Sequence, residues 1–496
     1  MIDTIVVGSG YGGSVVAARL AGTCEVLLLE RGRDWPLPEL PRSLGELMRS
    51  YLLRRRRPLG LWEFRFGRGT GTVFVSALGG ASLVNYGITA RPDPHIFDTW
   101  PVSWGEMQRY YDRALGVLSP SSAPVGEELL DKKFLDRIEP GRRVDLENTI
   151  DWKDCTYCGH CVPGCREGAK LNLTRTYLAL AREKGLRVRT ETEVVGIEPL
   201  PVEGYRLQVR STANPGRVET LECRRLVLSA GTFGTMDLLH RMRAKLPLSS
   251  SFGQRVSMNG DALAFLYNTS HSISGEHGAP LTTSVRLRFR DHEEKLRSLL
   301  VMSGRIPRSM AYGSAFLLSC FSGLLGQTRG PVGVESRSRR LYRRIRDLWS
   351  VGAGGALSHS FMYKLDAQDS AAGVVRFTSS GRGVVDWPGY ARDPILRTAV
   401  SRLNRWADRV GGTVVLLPGL HRAMKGFSVH TLGGCRMGSS PSEGVVDPEC
   451  RVFRPDGGVY DGFYIVDSTV CPSSLGVPPS LTISAVAERA AEAMLG

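Results

Sequence analysis

The sequence predicts an α/β protein with a parallel-sheet βαβ unit at its N-terminus and an inserted α+β region behind it. Three observations support this. An apolar strand at residues 3–8 runs directly into a glycine-rich turn and a helix, and a second apolar strand follows at 25–30. β-rich runs at 188–190, 194–197, 205–209 and 226–229, with a helix pattern at 234–243, then return to the same unit. The chain has 496 residues, beyond the size at which one hydrophobic core stops growing, so a second domain is expected.

Taken in order, 3–8, 13–21 and 25–30 read as strand, crossover helix and parallel strand. Residues 36–58 are polar and bear proline and arginine, which suits a path over the surface; the excursion is expected to span 36–75. A loop is expected at 119–126 and a cysteine-rich loop at 151–170. Strand patterns at 262–267, 283–289 and 373–377 alternate with helix patterns at 341–349 and 393–410, which marks the inserted domain. The last segment ends in a helix over 479–495 with proline at its start. The expected division is 1–260 for the first domain, 261–420 for the insert, and 421–496 for the return to the first domain.

Gly8-Ser9-Gly10-Tyr11-Gly12-Gly13 sits between strand and helix, the context in which this pattern cradles a dinucleotide. Gly8 permits the tight turn, Gly10 lets the backbone approach the pyrophosphate, and Gly13 allows the helix to pack closely on the strand. The helix N-terminus adds free N–H groups and a positive dipole end. Glu30 closes the second strand where a carboxylate accepts hydrogen bonds from the adenosine ribose, and Arg31-Gly32 follow. This motif alone does not choose between FAD and NAD.

The hydrophobic share of 42% and charged share of 23% are those of a soluble globular protein. The net charge of +15 comes largely from dispersed arginines, with two local runs at 54–57 and 337–346. No recognised motif accompanies them, so nucleic acid is not an expected partner. The apolar stretch 311–326 is broken by glycine and polar residues and is too short to span a bilayer. It reads as a core helix, with a weak peripheral membrane contact as the alternative. No charged and apolar leader precedes Ile2, and a cytoplasmic location is the expectation.

Further segments resemble the glucose–methanol–choline (GMC) oxidoreductase family, in its cholesterol-oxidase-like branch. Residues 8–20 with Gly22 match that branch's opening, and Leu78-Gly79-Gly80-Ala81-Ser82-Leu83-Val84-Asn85 is similar to its glycine-rich segment beside the flavin. Also similar are residues 228–235, Asn259-Gly260-Asp261, residues 381–388, and the run from His430 to Arg489. The resemblance implies FAD, covalent or noncovalent, in a Rossmann-like domain assembled from separated segments, with a substrate domain built on an antiparallel sheet. It also implies cofactor contacts at Tyr11, Gly12, Arg31, Gly79, Gly80, Ser82, Asn85, Val194, Ala230, Gly231, Asp467, Pro478 and Pro479.

GMC enzymes typically oxidise an alcohol, a base taking the hydroxyl proton while hydride passes to flavin N5. By motif match His430, in His430-Thr431-Leu432-Gly433-Gly434-Cys435, is the expected base or hydroxyl-orienting group, and a histidine suits the task by its pKa. His421 lacks such context and is read as structural. The family's second catalytic position is commonly His or Asn; here it is Pro478, which has neither a polar side chain nor an N–H. Pro479 is expected at the start of the final helix, whose free N–H groups would face the flavin.

Cys155, Cys158, Cys161 and Cys165 have the spacing of a bacterial-type iron–sulfur run, and a [4Fe–4S] or [3Fe–4S] cluster is one reading. Zinc, free thiols or a disulfide are the others, and the family branch often carries such cysteines. The expected function is FAD-dependent oxidation of a hydroxyl on an organic molecule, of sterol, terpenoid or polyketide size. The alternative is a flavin electron-transfer protein, with or without iron–sulfur, whose basic runs dock an electron-acceptor protein, or an atypical redox tailoring enzyme without simple alcohol oxidation.

Overall fold

Register in the first sheet brings distant loops to one edge. In this computed structural model, which describes residues 1–51, 58–124, 129–273, 281–291, 293–306, 310–324, 327–328, 336–349, 354–416 and 426–496, the strands Ile2–Val7, Val26–Leu29, Val218–Leu228 and Val459–Ile465 run parallel. Val7 pairs with both Leu29 and Leu228, and Leu228 with Ile465. The four strands therefore end level, and their following loops, at residues 8, 30, 229 and 466, emerge side by side. Arg187–Arg189 extends this sheet beyond Val26–Leu29, and Arg451–Phe453 closes its other end. Tyr205–Ser211 and Thr192–Pro199 continue from Val218–Leu228 as an antiparallel extension.

Where they pair, near their C-terminal ends, the strands are apolar and largely buried (Ile5–Val7, Val26–Leu29, Leu226–Leu228, Phe463 and Ile465), as a parallel sheet covered on both faces requires. The helix Tyr11–Leu20 packs against the final helix Ser480–Leu495 and against Tyr177–Glu183. Glu488, buried in that seam, accepts two 2.7 Å bonds from Arg19 and one of 2.6 Å from Tyr177. Pro479 stands at the N-cap, so the helix begins at Ser480, one residue after the expected start.

The second sheet is antiparallel throughout, in the order Gln327–Thr328, Thr413–Leu416, Ala262–Tyr267, Phe361–Ala367, Leu296–Gly304, Thr283–Arg290, Arg143–Asp145. Its outermost strand, Arg143–Asp145, comes from the segment that sequence reading placed in the first domain. Helix Pro394–Val410, capped by Asp393, covers one face through Trp406, whose ring meets Tyr363.

Two expectations are corrected. Residues 62–75 do not run over the surface: Trp62–Phe66 and Thr70–Val75 form a hairpin that pairs with Gly426–Ser428. The apolar side chains Trp62 and Val73, packed with Leu40, Leu61 and Leu83, draw it inward. The arginine run 54–57 and His421 lie outside the described residues. The apolar stretch forms a helix, Ala311–Leu324, but only one side of it is core: Ala311, Ala315 and Leu318 are buried while Tyr312, Phe316 and Leu317 are exposed.

Asn259 joins the two sheets. Its fully buried amide accepts from the N–H groups of Leu475 and Gly476 and from Ser474 Oγ, and donates to Val477 O at 2.8 Å. Asn259→Ala removes four bonds and leaves buried partners unsatisfied, so unfolding stability should fall by about 2–4 kcal/mol. A shift in the urea midpoint with an unchanged m-value checks this.

Candidate functional site

The level strand ends create a crowded turn with one opening. Gly8 has φ +100°, and a Cβ there would lie 2.3 Å from Ser229 O. A Cβ on Gly12 would strike Val466 O at 1.7 Å, and one on Gly13 would strike Gly8 O at 2.0 Å. Helix-on-sheet packing is thus shared by Gly12 and Gly13, where sequence reading credited Gly13 alone. Gly10 differs: nothing lies within 4 Å of its Cβ position. The helix that it caps has no side-chain cap bond, so its first N–H groups face that open space. A pyrophosphate fits such a cradle.

Glu30 is buried beside the turn. Its Oε2 accepts from Ser9 N and Ser9 Oγ, and its Oε1 from Gly32 N at 2.8 Å. A carboxylate has about four lone-pair sites, so capacity remains for one ribose hydroxyl. Thr192 N donates to Glu30 O, which lays the strand bearing Val194 alongside. Arg31 instead turns toward Ser76 and Glu63.

The glycine-rich segment 78–85 lies across the same opening. A Cβ on Gly80 would come within 2.9 Å of Gly10 Cα. Ser82 Oγ serves the segment itself, donating to Gly79 O and accepting from Leu173 N. Asn85 Nδ2 donates to Tyr11 Oη at 2.7 Å. Burial pushes the Tyr11 phenol up to about 12, against hydrogen bonds with Asn85 and Ser480. These three residues connect the turn, the segment and the last helix. Gly231 has open space at its Cβ position, while Asp467 accepts from Gly231 N, Thr235 Oγ1, Thr469 N and Thr469 Oγ1. Asp467 caps a turn and fixes Ala230-Gly231 from behind.

His430 faces the second sheet. Its Nδ1 lies 2.9 Å from Asp366 Oδ1. An ionised Asp366 accepts a hydrogen bond from Nδ1–H there, so Nε2 carries the lone pair. Asp366 also accepts from Lys364 Nζ at 2.8 Å, and Lys364 reaches Asp261 at 2.7 Å. Burial disfavours each charge, but the two carboxylates outweigh it and hold Lys364 above its ordinary range. Burial likewise opposes the Asp366 anion, and Lys364 and His430 outweigh it to hold this carboxyl low. Asp261, Asp366 and His430 place ligand atoms within 4.8 Å of one another. Because the Lys364 ammonium already bonds both carboxylates, the group has its cation built in.

Sequence reading found His430 but missed Asp366 and Lys364. Their signal is Phe361-Met362-Tyr363-Lys364-Leu365-Asp366-Ala367, an otherwise apolar strand with opposite charges two apart and so on one face. Pairing extends that face: Met362 opposes Phe265 and Gly304, Lys364 opposes Leu263 and Met302, and Asp366 opposes Leu300. The ion pair thus stands on an apolar floor. Pro478 is buried, and its neighbour Val477 is held by Asn259. Nothing polar at position 478 meets His430.

The four cysteines are free thiols that line one hollow of about 20 Å³ with His160 and Lys170. That volume suits one water-sized group. Tetrahedral zinc would hold thiolate sulfurs roughly 3.8 Å apart, and no three of these sulfurs lie within 4.8 Å of one another. A four-iron cluster would need the loop to open. Burial pushes the Cys161 thiol up to about 12 and Lys170 down to about 8. Lys170 donates to the carbonyls of Asn85 and Cys161, which fastens the hollow to the glycine-rich segment 78–85.

Residues 2–244 match the N-terminal model of GMC oxidoreductases and residues 419–487 the C-terminal model. Cholesterol oxidase of Acinetobacter baumannii is 25% identical, over 98% of this chain and 93% of its own. That of Mycobacterium tuberculosis is 28% identical, over 99% and 90%. The crystal structure of pyridoxine 4-oxidase from Mesorbium loti superposes with a TM-score of 0.65 at 16% identity, covering 99% of each chain.

Glu30→Gln halves the charge-assisted acceptors beside the glycine-rich turn while keeping the shape. Dinucleotide affinity should fall roughly tenfold, about 1.4 kcal/mol. Cofactor retained per mole of protein through gel filtration and dialysis measures it.

Proposed function

The chain belongs to the GMC oxidoreductase family and is an FAD-dependent alcohol oxidoreductase, and we propose that its substrate is an apolar alcohol whose hydroxyl proton passes to His430. Gly10, the N-terminus of helix Tyr11–Leu20 and Glu30 would hold the cofactor's pyrophosphate and ribose. Bound FAD supplies the acceptor for the hydride that leaves the carbinol carbon, so the alcohol becomes a carbonyl.

The observation that carries this reading is the His430–Asp366 bond. It leaves Nε2 as the acceptor, and Nε2 has no protein partner among the described residues. The imidazole keeps 17% exposure in an otherwise buried cluster, so it opens on the space beyond. Accepting a proton turns the His430, Asp366, Lys364 and Asp261 group from net negative to neutral, which favours the step. Asp366 Oδ2 is buried without a hydrogen-bond partner, a polar atom available to a substrate-bound water or hydroxyl in place of the side chain that Pro478 lacks.

Leu263, Phe265, Leu300, Met302 and Met362 surround the ion pair on its face of the sheet. An apolar body with one hydroxyl suits that surface, and the cholesterol oxidases among the relatives are named for such an alcohol. The iron–sulfur reading of the cysteine quartet is a separate proposal, on which alcohol oxidation does not depend. Acid-labile sulfide and an EPR signal in anaerobically purified protein would establish it; iron-free, fully active protein would remove it.

Anaerobic mixing with a panel of alcohols tests the main reading. Apolar alcohols should bleach the flavin absorbance, and a flavin that no alcohol bleaches overturns it. His430→Gln should retain flavin and slow bleaching by about 10²–10⁴-fold. Asp366→Asn, which reverses the imidazole's hydrogen-bond demand, should cost roughly 10²-fold and shift the pH profile.

A further inference from the structure

Helix Arg337–Trp349 is amphipathic in the wrong sense for a core element. Its buried residues are Arg343 and Asp347. Arg343 donates to Asn268 Oδ1 at 2.8 Å and to Thr269 O at 3.0 Å, and Asp347 accepts from Leu357 N at 2.7 Å. Arg340 reaches Thr413, and Arg344 the carbonyl of Ser319. The polar face therefore anchors the helix to the protein.

The apolar face points outward. Leu341, Tyr342, Ile345, Leu348 and Trp349 are all exposed, Tyr342 by 62% and Trp349 by 85%. At about 100° per residue they fall within an arc of roughly 120°. Arg339 and Arg346 border this arc on one side, Arg337 and Arg344 on the other. The helix Ala311–Leu324 lies alongside, tied by the Tyr312 hydroxyl to Leu348 O, and adds exposed Tyr312, Phe316 and Leu317.

We propose that this helical pair is a docking surface for an anionic lipid bilayer. Amphipathic helices that lie in a membrane interface carry aromatic and aliphatic residues on one face and arginine at its borders, and these do. Arg337, Arg339 and Arg346, exposed at these borders, complement negative headgroups. The same charges count against a second copy of the chain, since a two-fold contact through this face would set arginine border against arginine border.

The position gives the docking a use, one that rests on the apolar-alcohol reading. Helix Ala311–Leu324 packs on Phe265, Met362 and Val415. Met362, Lys364 and Asp366 share one face of their strand, so the helical pair covers the floor of the active site about 13 Å from Asp366. An alcohol dissolved in the bilayer would enter beneath it.

Flotation of the holoenzyme with vesicles tests the docking. Vesicles of phosphatidylcholine with phosphatidylglycerol at roughly one lipid in three should carry the protein, pure phosphatidylcholine much less, and added salt should weaken binding. Tyr342→Ser/Ile345→Ser/Trp349→Ser should abolish flotation, and each of Arg339→Ser and Arg346→Ser should weaken it roughly fivefold. All variants should still turn over a water-soluble alcohol at the wild-type rate, which shows that they fold. Equal flotation with both vesicle types, or none, overturns the proposal. So does a lipid-free dimer that the triple variant dissolves, which would assign the face to a second copy. Flotation by a protein whose flavin no alcohol bleaches would leave the docking standing and remove only the entry route.

Discussion

The buried ion pair of Lys364 with Asp366 and Asp261 is the constraint around which the two sheets are arranged. Moving a charge of this kind out of water costs several kcal/mol even after relaxation, so none of the three can stay buried alone. Lys364 and Asp366 sit on Phe361–Ala367, Asp261 at the start of Ala262–Tyr267, and His430 on the segment that returns to the first sheet. Satisfying the charges therefore sets the height of the insert over the parallel sheet. Losing one partner of such a group costs about 3–5 kcal/mol, far more than most surface contacts return. The same group that fixes the geometry orients His430, so the packing and the chemistry are one arrangement.

A second constraint is steric. Four parallel strands end in one row, so the loops that follow them must pass within contact distance of each other. Gly8, Gly12 and Gly13 are the positions where any side chain would overlap a carbonyl of Ser229, Val466 or Gly8. Gly10, which has room, is glycine for what is brought to it. Separating the two kinds of glycine in this way explains why a run of four glycines is needed where two would make the turn.

How much of this was legible depended on whether a residue's partner was near in sequence. The βαβ unit, Glu30, the final helix and the strand Ala262–Tyr267 follow from local period and turn chemistry, and the structure has them. His430 was legible only through its motif, because a lone histidine carries no local signal. Asp366 and Lys364 were missed since their significance lies in a partner 64 residues away along the chain. Strands Leu296–Gly304 and Thr413–Leu416 were missed because continuous apolar runs lack the alternation that marks a half-buried strand. The hairpin of Trp62–Phe66 with Thr70–Val75 was misplaced on the surface because the polar stretch before it set the reading.

Helix Arg337–Trp349 shows a limit of another kind. Its period was legible, and a helix with Leu341, Ile345 and Leu348 on one side is ordinarily turned with that side inward, since burial returns about 25 cal/mol per Å². Here Arg343 and Asp347 find buried partners in Asn268, Thr269 and Leu357, and those charge-assisted bonds decide the orientation. Periodicity thus reports that a helix has two faces; only the inventory of waiting acceptors reports which one turns in. The gain from burying the apolar face is then left unclaimed by the chain itself, and it stays available to whatever surface meets it.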